Sequence, residues 1–267
     1  MNKAIIGLTV FISLLTNSVF AAETLLLTGS STAAPLMSEI GLLFEKKFPK
    51  IKVEVQTGGS TKGLTDLQQG LNDIGMLSRD LTPEEKDVKS HLIAFDGLVF
   101  AVHKKNAVKK LTTEQIKKIY KGEVTNWKDV GGPDRKITVI SKVEGRAALD
   151  LFVHQFGVKP SEIKAQSLVG DNEHGLKLVK EDESAIAYLS VSTVDTAVKA
   201  GETVSAVTLD GVDATPANIK NGKYKFTRSI ILVTNGKSKA SALDFVKVAQ
   251  SNEVNNLIEK LGFVTIK

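Results

Sequence analysis

Three short segments bring small hydroxyl side chains and glycine together: Ser30-Ser31-Thr32, Gly59-Ser60-Thr61 and Leu77-Ser78-Arg79. Each stands just before a stretch that reads as a helix. A helix N-terminus presents unpaired N–H groups and the positive end of the helix dipole, so hydroxyls added there make a pocket for an oxyanion. Ser and Thr are also preferred caps on any helix, and one such loop alone reads as plain capping. Three of them after successive strands point further, because in an open α/β sheet they share the carboxyl edge, where ligands bind. Arg146, in Val143-Glu144-Gly145-Arg146-Ala147-Ala148, stands where another strand meets a helix and could offer a planar guanidinium fork to the same anion. As an exposed first-turn residue it would pair instead with Glu144 or Asp150. Asp96 precedes Gly97 inside an apolar run, where an unpaired carboxylate is costly to bury. It therefore either caps a turn or accepts a hydrogen bond from a partner that matters.

Other chemistries find no footing in the residues. The Gly58-Gly59-Ser60-Thr61-Lys62-Gly63 loop lacks the Gly-Lys-Ser/Thr ending of a nucleotide loop, and no GxGxxG follows an expected strand. There is no cysteine, hence no thiol nucleophile, thiolate zinc site, disulfide or lipidated N-terminal cysteine. The histidines, at 91, 103, 154 and 174, lack metal-ligand spacing, so neither a metal nor a cofactor is expected. No Gly-x-Ser-x-Gly elbow or outstanding carboxylate pair supports catalysis. The 35 Lys+Arg against 30 Asp+Glu give a net charge of +5 with no basic stripe, which argues against a nucleic-acid partner. Trp127 reads as closing a core rather than stacking on a ligand.

Apolar β-branched runs alternate with amphipathic stretches, the signature of α/β architecture, and 267 residues with 42% hydrophobic content suffice for two lobes. Strands are expected at Glu23–Thr28, Ile51–Val55 and Asp73–Leu77, with helices over about 33–48 and from Gly63 to Gln69 between them. A further helix is expected to open at Thr82-Pro83-Glu84-Glu85. The apolar stretch from Leu92 to Val102 reads as broken at Asp96-Gly97. Beyond it, a helix from Leu111, a turn-rich loop over 124–132, a strand Ile137–Ile140 and a helix from about Arg146 to Phe156 follow. Strands at 185–189, 204–209 and 230–233 and helices around 242–249 and 254–261 complete the chain.

Taken in order, several segments resemble one family, the phosphate-binding periplasmic substrate-binding components of ABC transporters. They are Thr28-Gly29-Ser30-Ser31-Thr32-Ala33-Ala34-Pro35, the 58–63 loop, Asp73-Ile74-Gly75-Met76-Leu77-Ser78-Arg79 and Asp96-Gly97-Leu98-Val99-Phe100-Ala101-Val102-His103. The likeness continues through Leu111–Ile116, Gly122–Gly132 and Ala185–Ser190. It implies a two-lobed α/β fold with two crossover hinge strands, near 96–103 and 226–233, and an anion buried in the cleft. The implied division is lobe 1 at 22–98 and 230–267, and lobe 2 at 99–229. By the same resemblance Ser31, Thr32, Ser60 and Ser78 are donors from the first lobe, and Arg146 is the second lobe's contribution. Two departures stand out. Many members read Ser-Gly-Thr in the loop where this chain has Gly145-Arg146-Ala147-Ala148, and many carry Asp directly after the serine that aligns with Ser78, where it has Arg79. Asp96 is then the candidate acceptor for a phosphate proton. The implied role is non-enzymatic capture of inorganic phosphate by a monomer that serves an ABC transporter permease. A binding protein for sulfate, molybdate or tungstate, an exported phosphoesterase and a phosphate-linked adhesion protein are the alternatives, since fold does not fix function.

Lys3, an apolar run from Ile5 to Leu15 and a Val19-Phe20-Ala21 end read as a signal peptide over 1–21, too short in its apolar run to anchor the chain in a membrane. The implied compartment is the periplasm. N-terminal sequencing of protein released by osmotic shock is expected to return Ala22 as the first residue; Met1 retained in a membrane pellet would refute the export reading.

Overall fold

The computed structural model describes residues 23–266, so the expected signal segment lies outside the described residues. Strand β1 (Glu23–Gly29) runs into helix α1 (Ala34–Lys47), β2 (Ile51–Thr57) into α2 (Ser60–Gln69), and β3 (Ile74–Leu77) follows. β1 lies between β2 and β3 and is parallel to both, so the three loops that leave their carboxyl ends sit side by side. α1 follows the 3.6-residue period of its apolar side chains: Leu36, Met37, Ile40 and Phe44 are buried on one face. Pro35 falls in its first turn, where no N–H is needed.

The chain does not form the helix expected at Thr82. From Pro83 to Asp87 there is no apolar residue other than proline to bury, and Glu85 is drawn instead into a turn, accepting from the Thr82 N–H at 2.8 Å and from the Arg79 guanidinium. Nor does the chain break at Asp96-Gly97. β4 (Lys89–His103) is one continuous 15-residue strand. Gly97 is tolerated there because neighbouring chain passes close: a Cβ would meet Ile219 Cδ1 and the Phe226 carbonyl oxygen, both at 3.0 Å.

From β4 the chain enters a second set of elements: β5 (Lys110–Leu111), α3 (Thr113–Tyr120), β6 (Thr138–Lys142), α4 (Ala147–Phe156), β7 (Ser167–Val169), α5 (Asn172–Glu181), β8 (Ala185–Ser190), α6 (Val191–Lys199), β9 (Val204–Ala206), β10 (Thr208–Leu209) and α7 (Pro216–Lys220). Here β6 lies between β7 and β8, parallel to both, and so repeats the arrangement of the first three strands. β11 (Thr227–Thr234) then returns antiparallel to β4, with Thr227 opposite Gly97 and Thr234 opposite Lys89. α8 (Ala240–Ala249), α9 (Asn255–Lys260) and β12 (Val264–Thr265) end the described chain. The sheet order is β2-β1-β3-β11-β4-β8-β6-β7, with β9 and β12 also on β4.

β4 is shared by two apolar cores. One holds Leu25, Leu27, Phe44, Ile93, Ile230, Phe245 and Phe263. The other takes over at Leu98 and holds Phe100, Tyr120, Trp127, Phe152 and Tyr188, with the Phe152 and Tyr188 rings stacked at 4.7 Å. Trp127 is fully buried, its indole N–H donating to the Ser184 carbonyl at 2.9 Å. This is a mixed α/β fold of two lobes.

The turn that delivers the first hydroxyl loop depends on Gly29. Its φ is +136°, and a Cβ added there would lie 2.2 Å from the Met76 carbonyl oxygen. Gly29→Ala is expected to lower stability by more than about 2 kcal/mol, read as a fall in the urea midpoint at unchanged slope; an unmoved midpoint would show that the turn relaxes freely.

Candidate functional site

The carboxyl ends of the two parallel arrays face each other across one small pocket. Lobe 1 supplies Ser30, Ser31 and Thr32 from the β1–α1 loop, Gly59 and Ser60 from the start of α2, and Ser78 from the end of β3. Lobe 2 supplies Lys142 from the end of β6, Arg146 with Ala147 and Ala148 at the start of α4, and Gly170 and Asn172 at the start of α5. Arg228, on β11, completes the wall. The lobes touch here. A Cβ on Gly59, whose φ is +99°, would meet the Gly145 carbonyl oxygen at 2.5 Å and Arg146 Cδ at 2.9 Å.

Capping accounts for Ser30, whose Oγ accepts from the first N–H groups ahead of α1, but not for the other hydroxyls. α2 and α4, whose N-termini reach the pocket, have no side-chain cap, whereas α3 and α5 are capped by Thr112 and Asp171. First-turn N–H groups of the uncapped helices are therefore left for a ligand. The hydroxyls are turned to the same purpose. A hydroxyl oxygen accepts two hydrogen bonds and donates one. Thr32 Oγ1 accepts from Arg228 Nη2 at 2.9 Å and from Asn172 Nδ2 at 3.0 Å. Ser30 Oγ accepts from the Thr32 and Ala33 N–H groups at 3.2 and 3.3 Å. With both lone pairs in use, each of these hydroxyls has only its proton to offer. Ser60 Oγ accepts from the Ser78 N–H at 3.1 Å, which orients it in the same sense.

Three basic side chains and no acidic one line the pocket. Arg228 is 6% exposed and paired with Asp96, which is 1% exposed; its Nε and Nη2 donate to Asp96 Oδ2 at 3.0 and 2.8 Å. Its Nη1 is buried with no hydrogen-bond partner. Leaving such a donor unpaired costs about 1–3 kcal/mol, more for a charged group, which an anion in the pocket would recover. Burial, followed by the nearby Arg228 and Arg146 charges, brings the Lys142 ammonium down to about 7 against the opposing pull of Asp171. What gathers here is an array of donors, suited to a compact anion rather than to a cation.

The structure thus brings Ser31, Thr32, Ser60, Ser78 and Arg146 to one pocket. Arg146 makes no ion pair with Glu144 or Asp150. Asp96 departs from the acceptor role expected of it. It lies behind Arg228 rather than in the lining, and its oxygens are taken up by Arg228, by the Ser190 hydroxyl at 2.8 Å and by the Ser192 N–H at 3.1 Å. Arg79 is turned away, forked onto Glu85 at 2.7 and 2.8 Å. Sequence reasoning missed Lys142 and Asn172. Asn172 carried a signal, since Gly170-Asp171 is a readable cap before it, whereas Lys142 lies beyond the strand expected at Ile137–Ile140 and carried none.

A family profile described as a PBP superfamily domain matches residues 16–253. The chain belongs to that superfamily. Within the PBP superfamily it is 30% identical over 223 residues to the phosphate-binding protein PstS of Staphylococcus haemolyticus, covering 79% of this chain and 70% of that one. It is 28% identical over 254 residues to PstS of Bacillus subtilis, covering 92% and 82%. Among solved structures it superimposes, with a TM-score of 0.86 and 36% identity over 92% of this chain and 100% of the other, on a protein from Clostridium perfringens. That protein is described as a phosphate ABC transporter substrate-binding protein and has phosphate bound.

The Asp96–Arg228 pair supports this PBP pocket from beneath. Asp96→Asn is expected to cost about 3–5 kcal/mol in stability, because it leaves a buried guanidinium uncompensated. Asp96→Asn combined with Arg228→Met should recover much of that loss. Urea denaturation of both single variants and the double would check it, and strictly additive losses would show that the pair is not coupled.

Proposed function

We propose that this protein captures inorganic phosphate outside the cytoplasmic membrane and delivers it to the permease of an ABC transporter. The observation that carries the reading is the donor array: hydroxyls with their lone pairs already occupied, uncapped helix N-termini and a buried guanidinium nitrogen without a partner, with no carboxylate in the lining. Support also comes from the relatives, which are phosphate-binding proteins by name, one of them with phosphate bound. In this reading Ser31, Thr32, Ser60 and Ser78 bind from lobe 1, at 22–98 and 230–267. Arg146, Lys142 and Asn172 bind from lobe 2, at 99–229, and Arg228 binds from β11 at the very end of that range, where the chain crosses back to lobe 1. Asp96 serves by holding Arg228. The protein acts as an unlipidated periplasmic monomer, and its role is binding rather than catalysis.

The absence of a carboxylate from the lining keeps a second reading in view, a site for another tetrahedral oxyanion, since a carboxylate would be the simplest means of turning away sulfate. Titration calorimetry with phosphate, arsenate, sulfate and molybdate separates the two; preference for sulfate or molybdate would overturn the phosphate assignment. In the same assay Arg146→Ala is expected to weaken phosphate binding more than about tenfold, or about 1.4 kcal/mol, through loss of a charge-assisted donor. Arg146→Lys should restore only part, since an ammonium cannot make two parallel bonds. Unchanged affinity in both variants would remove Arg146 from the binding set.

A further inference from the structure

One side chain of the lining differs from the rest in being able to exchange a proton near neutral pH. Guanidinium groups do not give up protons in proteins, and the remaining lining residues are Ser, Thr, Gly, Ala and Asn. Lys142 is 4% exposed and makes no ion pair; its Nζ donates to the Asp171 carbonyl oxygen at 2.6 Å. The groups that face it come from four elements. α5 brings Asp171 and Glu173, α4 brings Arg146, and β11 brings Arg228. β8 brings Tyr188, whose hydroxyl accepts from the Lys142 backbone N–H at 3.0 Å and lies 2.7 Å from Ser141 Oγ. Burial first, and then the opposing carboxylates and the two arginines, leave the Lys142 amine with a pKa of about 7. Burial pushes Tyr188 up to about 12, so it stays a neutral hydroxyl.

We propose that Lys142 is the proton-exchanging contact of the pocket, so that each anion captured is matched by one proton gained on its side chain. The inference rests on the phosphate reading above. The reason is electrostatic: burial and two arginines oppose a third positive charge beside them, and an anion offsets both. Protonation and anion binding then favour each other by the same factor. The protons balance by either route. A dihydrogen phosphate that enters passes one O–H proton to Nζ and remains as hydrogen phosphate beside the ammonium. A hydrogen phosphate that enters leaves its own proton in place, and Nζ takes one from solvent. The complex is the same. Affinity for hydrogen phosphate therefore falls as pH rises above about 7, approaching tenfold per pH unit.

Calorimetry with inorganic phosphate at about pH 8, in two buffers of different protonation enthalpy, counts the protons. The wild type is expected to take up about one per anion, and Lys142→Arg, which keeps the charge permanently, to bind with little uptake. Binding by the wild type without uptake, or undiminished uptake in Lys142→Arg, would overturn the proposal while leaving the phosphate reading intact; no phosphate binding by the wild type would overturn both. A second measurement needs no ligand. Between about 7 and 10.5 the unfolded chain carries a proton on Lys142 that the folded chain lacks, so stability of the free protein gains a rising component across that window. Lys142→Met should lose that component, and parallel stability curves for the two proteins would overturn the proposal.

Discussion

Arg228 and Asp96 stand opposite each other on adjacent antiparallel strands, and the carboxylate end of the pair ties into lobe 2 through Ser190 and Ser192. The guanidinium end ties into lobe 1 through Thr32 and presents its remaining nitrogen without a partner. Removing two such charges from water costs several kcal/mol for each, and mutual attraction repays this only with full hydrogen bonding. Asp96 is fully engaged, whereas Arg228 Nη1 has no partner within the protein. The pair is thus better understood as holding a charged fork in a dry place than as a source of stability. Arg228 meets Asp96 in the stretch of β11–β4 pairing that precedes the register shift at Ile230/Ile231, and Asp96-Gly97 sits there inside a continuous strand.

The consequence for the pocket is a surplus of positive potential. Lys142, Arg146 and Arg228 converge on helix N-termini that add their own partial charges. Water screens little in a dry wall, so the surplus has to be relieved either by an anion or by the loss of a proton. Arginine cannot provide the second route and a buried lysine can. A lysine at the end of β6 can shed its charge among these groups where an arginine could not, and on the proposal above that comes at a cost in affinity when protons are scarce.

Much of this was legible in the residues. The β1–α1 and β2–α2 hydroxyl loops and Arg146 follow from strand-to-helix transitions, because the period of the apolar side chains changes there from 2 to 3.6, while Ser78 shares their sheet edge at the end of a strand that no helix follows. The rest depended on contacts distant in sequence. Asp96 looked like a ligand or a turn because its partner lies 132 residues away. Lys142 lies two residues past the expected strand, and its burial depends on the chain around Asp171 and Gly175, some thirty residues on. The acidic turn at Thr82 resembled a helix start because capping chemistry is local, while the decision to continue a helix needs an apolar face that 83–87 does not have.

Thr32 shows how the lobes and the anion are coupled. One of its lone pairs is occupied from β11 by Arg228, the other from lobe 2 by Asn172. If the lobes part, the Asn172 bond is lost, a lone pair is freed, and the hydroxyl is able to turn its proton elsewhere. Only with the lobes together is its donor direction determined, and the same approach sets Gly59 against the Gly145–Arg146 backbone. The free energy of closing the cleft and that of orienting its donors are then not separate quantities. An anion that draws on those donors stabilises the closed arrangement by the interactions that closure alone completes, which is the differential contact a ligand must make to shift a conformational equilibrium.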